Sequence, residues 1–174
     1  MNDLLTLDYT GADDFALVGA DLDLDTLEQA QSNASRLLLQ GHCEFLEMNA
    51  WELADSNAFD AIVCSGLTSY QPCNDLVVDL YNRFYEALKP GRLLITNYVT
   101  PPPTLTKDCE WRTDEVSSRG LLPAKLIFSD LLQASWSHPR STGWTTTQLR
   151  QTGFHEIGVE AHHGRVFPTV YATK

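Results

Sequence analysis

The residues with chemical potential fall at the ends of apolar runs. Asp21 closes the run from Phe15 to Ala20, and a helix-like pattern begins at once in "FALVGADLDLDTLEQAQ". In a doubly wound sheet, ligands bind outside the carboxyl ends of the strands, where an acid accepts hydrogen bonds from two ribose hydroxyls. Leu22 follows and offers an apolar face to a purine. Asn49 in "MNAWEL" ends the next strand-like run. Its amide carries both a donor and an acceptor for a heterocycle edge. Ala50 and Trp51 add a backbone amide and an apolar surface. Ser65-Gly66 ends a third run, "FDAIVCSGL", and a glycine there lets backbone come close to a ligand. Tyr70 is placed to lie over the same rim. Taken singly, each residue also fits a plainer role as a solvated acid, a turn asparagine or a turn glycine. Their weight lies in sharing one rim of one sheet.

Other candidates carry less. His155, His162 and His163 raise the question of a metal. However, neighbouring residues of a strand point to opposite faces, and no cysteine or acid pattern completes a set. No metal site is expected. His138 or His163 has the chemistry of a general base, but nothing selects either one, so no catalytic residue is assigned. Trp111, Trp136, Trp144, Phe128 and Tyr98 are the aromatics of an acceptor pocket or of a small core. The prolines at 101–103 stiffen the chain beyond the rim.

Apolar continuity and helical periodicity supply the elements that position these residues. "MNDLLTL" reads as the remainder of a helix and "DYTGADD" (8–14) as a turn. Phe15–Ala20 is a buried strand. Asp23 caps a helix to about Gln40, with Gly41 as its C-cap and Leu24, Leu27, Ala30, Ala34, Leu37 and Leu38 as its core stripe. Strands are expected over 42–48, 59–67 and 92–99, and a helix over 75–88 that is stopped by Lys89-Pro90-Gly91. Strands alternating with helices at these spacings make parallel β-α-β units under helices on both faces. Beyond Val99 come a cap or insertion at about 100–145 with a helix over 121–136, a short helix capped near Trp144–Thr146 and ended by Gly153, and a terminal antiparallel hairpin. The whole reads as one domain, 1–174.

Composition sets the outer bounds. The 174 residues suffice for one sizeable core, and 43% hydrophobic with 10% aromatic residues is a globular composition. A formal charge of −11 argues against nucleic acid or an anionic membrane as partner, since both call for a basic face. Four scattered cysteines without a C-x-x-C pair suit reduced thiols in a cytoplasmic protein. Cys43 and Cys64 are expected in the core. No signal peptide and no membrane-length apolar segment is evident.

In their order, "LVGADLD", "MNAWEL", "FDAIVCSGL" and above all "LYNRFYEALKPGRLLITNYV" resemble the class I S-adenosylmethionine-dependent methyltransferases. "LRQTGFHEIGVE" resembles their last helix and strand pair. The resemblance implies an α/β, Rossmann-like, mostly parallel sheet with an antiparallel C-terminal hairpin. It implies S-adenosylmethionine as cofactor and a small-molecule methyl acceptor. Asp21 would hold the ribose hydroxyls, with Leu22 beside the adenine. Asn49 stands where the family usually has an acid for the adenine amino group, and Ala50 and Trp51 would flank that ring. Ser65 and Gly66 would lie near the methionine part. The family's first strand and glycine-rich loop have no counterpart here. Without that strand, its two neighbours would face each other across roughly one strand width with open edges, or would pair directly. Three explanations stand: a longer natural protein, a degraded gene, or a partner chain, including a second copy, that donates the strand. A non-catalytic Rossmann-like remnant or binding protein is the alternative function. A nicotinamide-dependent oxidoreductase is a third, although its G-x-G-x-x-G fingerprint is also absent.

Overall fold

The computed structural model describes residues 2–9, 14–103, 105–113 and 138–174. The helix expected over 121–136, with Phe128 and Trp136, lies outside the described residues, as does most of the turn at 8–14. The chain forms two compact units, Met1–Leu53 and Ala54–Lys174.

In the first unit, helix α1 (Asn2–Leu5) precedes strand β1 (Leu17–Asp21), helix α2 (Leu24–Arg36) and strand β2 (Cys43–Glu47). β1 and β2 pair in parallel from Leu17↔Cys43 to Asp21↔Glu47. Asp23 starts α2 as expected, its carboxylate accepting from the Asp25 N–H at 3.0 Å and from the Thr26 hydroxyl at 2.9 Å. Leu27, Ala30 and Ala34 are buried along one face of the helix. Leu24, Leu37 and Leu38, expected on that stripe, are exposed.

α2 ends at Arg36, short of Gln40, and Gly41 is not its cap. The left-handed residue is Leu38, at φ 60°. The Leu39 N–H reaches back to the Ala34 carbonyl at 2.8 Å and the Leu38 N–H to that of Ser35 at 3.1 Å. This closes the helix in the way glycine usually does. Gly41 is taken up in the 3-10 turn Gln40–His42. At the amino ends of the strands, Phe15 stacks between Tyr9 and His42, with ring centroids 4.3 Å apart on either side.

The second unit contains β3 (Phe59–Cys64), helix α3 (Asn74–Ala87), β4 (Leu88–Asn97), helix α4 (Thr142–Thr152), β5 (His155–Glu160) and β6 (Thr169–Thr173). The sheet order is β3-β4-β6-β5. β3 and β4 run parallel, and β6 is antiparallel to both β4 and β5, the expected terminal hairpin. Together these make the α/β, Rossmann-like alternation implied above. Lys89-Pro90-Gly91 is no simple link between helix and strand. β4 already begins at Leu88, which pairs with Phe59, and the register then shifts so that Ala61 pairs with Leu93. Gly91 takes φ 72° at this irregularity. α4 starts earlier than its expected cap, because the Ser141 hydroxyl accepts from the Trp144 N–H at 3.1 Å. It ends at Gly153 as expected, with φ 118°.

Val77, Leu80, Tyr81 and Phe84 of α3 are buried, as are Leu94, Leu149 and Val170. Lys174 ties the chain end to this unit. Its ammonium donates to Asn57 Oδ1 (3.0 Å) and to the carbonyls of Glu86 (3.3 Å) and Leu88 (2.8 Å). Those carbonyls lie at the negative end of α3, where a cation is favoured. Among the described residues, β1 pairs only with β2 and β3 only with β4. Val18 and Val63 in the middle of these strands are 41% and 36% exposed.

The left-handed leucine yields a stability prediction. A branched residue at positive φ costs about 1–2 kcal/mol that glycine avoids, and Leu38 is 81% exposed, so little burial is lost with it. Leu38→Gly should therefore raise the melting temperature by about 2–4 °C per kcal/mol recovered. Thermal denaturation followed by circular dichroism reads this; an unchanged or lower midpoint would contradict the cap geometry.

Candidate functional site

In the first unit the parallel pairing sets the rim. Asp21 is the last residue of β1, opposite Glu47, and the Met48 N–H donates to the Asp21 carbonyl at 3.0 Å. Asn49 therefore stands just beyond the end of β2, beside Asp21. The Asp21 side chain is half-buried and accepts the Asp23 N–H on Oδ1 at 3.1 Å. This fixes the direction of the carboxylate. Asn49 is extended (φ −75°, ψ 124°) and caps the 3-10 turn Ala50–Glu52, with Oδ1 accepting the Trp51 N–H at 3.2 Å. That contact leaves the amide nitrogen of Asn49 as the group suited to a ring acceptor. Leu22 turns outward and is 64% exposed, while Ala50 and Trp51 are half-buried. The structure thus brings Asp21, Leu22, Asn49, Ala50 and Trp51 to one rim. The hollow of about 100 Å³ between α2 and β2, lined by Gln31, Ala34, Gln40, Cys43 and Phe45, contains none of them.

In the second unit Ser65 and Gly66 follow β3 directly. Gly66 takes φ 75° and caps the 3-10 turn Leu67–Tyr70. A Cβ at Gly66 would have Asn97 Oδ1 3.8 Å away, so the glycine answers a backbone angle rather than a lack of space. Asn97, the last residue of β4, donates from Nδ2 to Ser65 Oγ at 3.1 Å. Asn97 is a rim residue that sequence reasoning missed. The signal was present, because parallel strands that end together put their last residues side by side. Tyr70 is 53% exposed at the end of the turn.

The remaining candidates have other partners. His162 Nδ1 accepts the Gly164 N–H at 2.9 Å, and His155 is an exposed strand residue paired with Thr173. Trp111 folds back so that its indole N–H donates to the Thr100 carbonyl and hydroxyl at 3.1 and 2.8 Å. Tyr98 is buried and donates to the Thr142 hydroxyl at 2.8 Å; that hydroxyl and the Thr142 N–H both donate to the Glu110 carboxylate. Burial pushes the Tyr98 phenol above its ordinary range. Cys64 is buried and its thiol is pushed up to about 11, mainly by that burial. Cys43 is only half-buried, short of the core position expected for it.

Comparison with known proteins gives the chain a family. The family model described as a methyltransferase domain matches residues 4–91, half of the chain. A solved structure described as a possible exported protein from Bordetella parapertussis is 36% identical, with a TM-score of 0.91; the match covers 98% of this chain and 57% of that one. An O-methyltransferase family protein from Burkholderia thailandensis is 17% identical at a TM-score of 0.66, over 91% of this chain and 43% of that one. A magnesium protoporphyrin IX methyltransferase from Synechocystis, solved with bound SAH, is 15% identical at a TM-score of 0.60, over 91% and 64%. The chain thus spans little more than half the length of the 36%-identical structure. No curated protein matches the sequence.

The burial of Cys64 gives a direct check on this end of β3. At pH 8 a maleimide should label exposed Cys73 rapidly and leave Cys64 untouched until denaturant is added, because a buried thiol with a raised pKa presents almost no thiolate. Mass spectrometry of the labelled peptides reads the order. Equal rates at Cys64 and Cys73 would contradict the packing below Ser65.

Proposed function

The chain belongs to the methyltransferase-domain family, and from that premise we propose that it is an S-adenosylmethionine-dependent methyltransferase, or the larger part of one, acting on a small-molecule acceptor. The observation that carries this reading is the rim of the first unit, where Asp21 and Asn49 stand side by side at the ends of two parallel strands.

The donor set suits an adenosine. The Asp21 carboxylate, directed by the Asp23 amide, accepts from ribose hydroxyls. Asn49 donates to a ring nitrogen in place of the family's usual acid. Leu22 and Trp51 supply apolar surface for the purine. Ser65 and Gly66 belong to the second unit, where Gly66, just beyond the end of β3, admits close backbone approach; the resemblance supports them for the methionine part. When bound, the cofactor supplies an activated methyl on a sulfonium. The chain's own residues contribute position, and fixing two reactants in line is itself a large share of such a rate. No residue is assigned as a base.

We further propose that the 174 residues are one methyltransferase-like domain with a cap or insertion at about 100–145. The family match from 4 to 91 runs across the boundary between the two units, which supports it. Among the described residues β1 pairs only with β2 and β3 only with β4, and each open edge supports a strand supplied from outside these residues, by a longer natural chain or a partner chain. Exposed strand edges are ready templates for pairing. No described helix is long and apolar enough to cross a membrane. The four free thiols support a cytoplasmic location; the description as exported belongs to the Bordetella protein.

Calorimetric titration tests the reading in two forms: this chain, and a chimera carrying the part of the Bordetella protein that lies outside the match. S-adenosylmethionine should bind the chimera, and Asp21→Ala should weaken that binding about 10–100-fold, the value of a charged hydrogen-bond acceptor. Absence of heat in both forms would overturn the cofactor assignment and favour a non-catalytic remnant.

A further inference from the structure

We propose that Arg140 is a positioning residue whose guanidinium sets the shape of the turn Gly66–Gln71, the part of the rim that follows β3. Arg140 is only 7% exposed. Its Nη1 donates to the Thr68 carbonyl at 2.7 Å and to that of His138 at 3.1 Å. Its Nη2 donates to the Gln71 carbonyl at 2.7 Å, and its Nε to Asn74 Oδ1 at 3.0 Å. The guanidinium lies 5.2 Å from the centre of the Trp144 ring. Its own backbone N–H donates to the Val99 carbonyl at 2.8 Å, beyond the end of β4.

None of these partners is a carboxylate. Among the described residues, three carbonyls and one carboxamide meet the charge, and burial lowers the pKa of the group as its main effect. Placing a cation inside is costly, and apolar side chains generally hold a fold together as well or better. What an apolar side chain cannot do is hold two carbonyls of one turn at once. Within the turn, the Ser69 N–H bonds the Gly66 carbonyl at 3.0 Å and the Gln71 N–H bonds the Thr68 carbonyl at 3.3 Å, and Thr68 and Ser69 are buried. Gly66 at φ 75° leaves the chain free to take other conformations. The rigid fork of arginine grips the Thr68 and Gln71 carbonyls from outside and ties them to Asn74 at the start of α3. A lysine, with donors on a single nitrogen, cannot span these directions.

The functional side of this inference rests on the proposed cofactor site; its structural side does not, and the experiment separates the two. Amide hydrogen exchange by NMR is measured on wild type and Arg140→Lys. The Ser69 and Gln71 amides should exchange at least about ten times faster in the variant, while the β4–β6 amides of Leu94 and Ile95 keep their rates. In the chimera, affinity for S-adenosylhomocysteine should fall about tenfold. Unchanged exchange at Ser69 and Gln71, or a loss spread evenly over the sheet, would overturn the proposal. If the wild-type chimera binds no S-adenosylhomocysteine, the cofactor reading fails and the exchange pattern still decides the role of Arg140. Should Arg140→Lys not fold, Arg140→Gln is read in the same way, and failure of both to fold counts against a local role.

Discussion

Parallel pairing of β1 with β2 and of β3 with β4 decides which side chains in each unit become neighbours. Strands that run the same way end on the same side, so the residues beyond their carboxyl ends become neighbours however far apart they lie in sequence. In the first unit, the register from Leu17↔Cys43 to Asp21↔Glu47 brings an aspartate and an asparagine twenty-eight positions apart onto one rim. In the second, the pairing that ends at Cys64↔Thr96 brings Ser65 to Asn97. Neither placement would survive a slip of one residue, which would turn each of these side chains to the other face.

Rim residues must also be aimed, and short local hydrogen bonds do this. The Asp23 amide directs Asp21, and the Trp51 amide directs Asn49. The left-handed Gly66 opens the turn after β3, and a buried guanidinium grips that turn from behind.

Much of this was legible in the sequence because it depends on local chemistry. Asp23 as a cap, Gly153 as a helix end, the alternation of strand and helix, and the closing hairpin follow from side-chain type and periodicity. The failures share a cause: tertiary context overrode a local preference. Gly41 is the natural helix terminator, but a 3-10 turn uses it and an exposed leucine takes the left-handed position. Lys89-Pro90-Gly91 looks like a clean stop, yet Leu88 already pairs with Phe59. Of the site, the strand-end residues could be read directly. Asn97 needed the β3–β4 register, and Arg140 needed contacts with residues as far away in sequence as Thr68, which no local pattern encodes.

The rim of the first unit, at Asp21 and Asn49, is assigned to the nucleoside part of the cofactor. NMR titration of the chimera with S-adenosylhomocysteine reads this at the backbone amides of Leu22 and Ala50. Both should shift along one saturation curve with a single dissociation constant. Amides of Leu22 and Ala50 that stay in place while the ligand binds would refute the assignment.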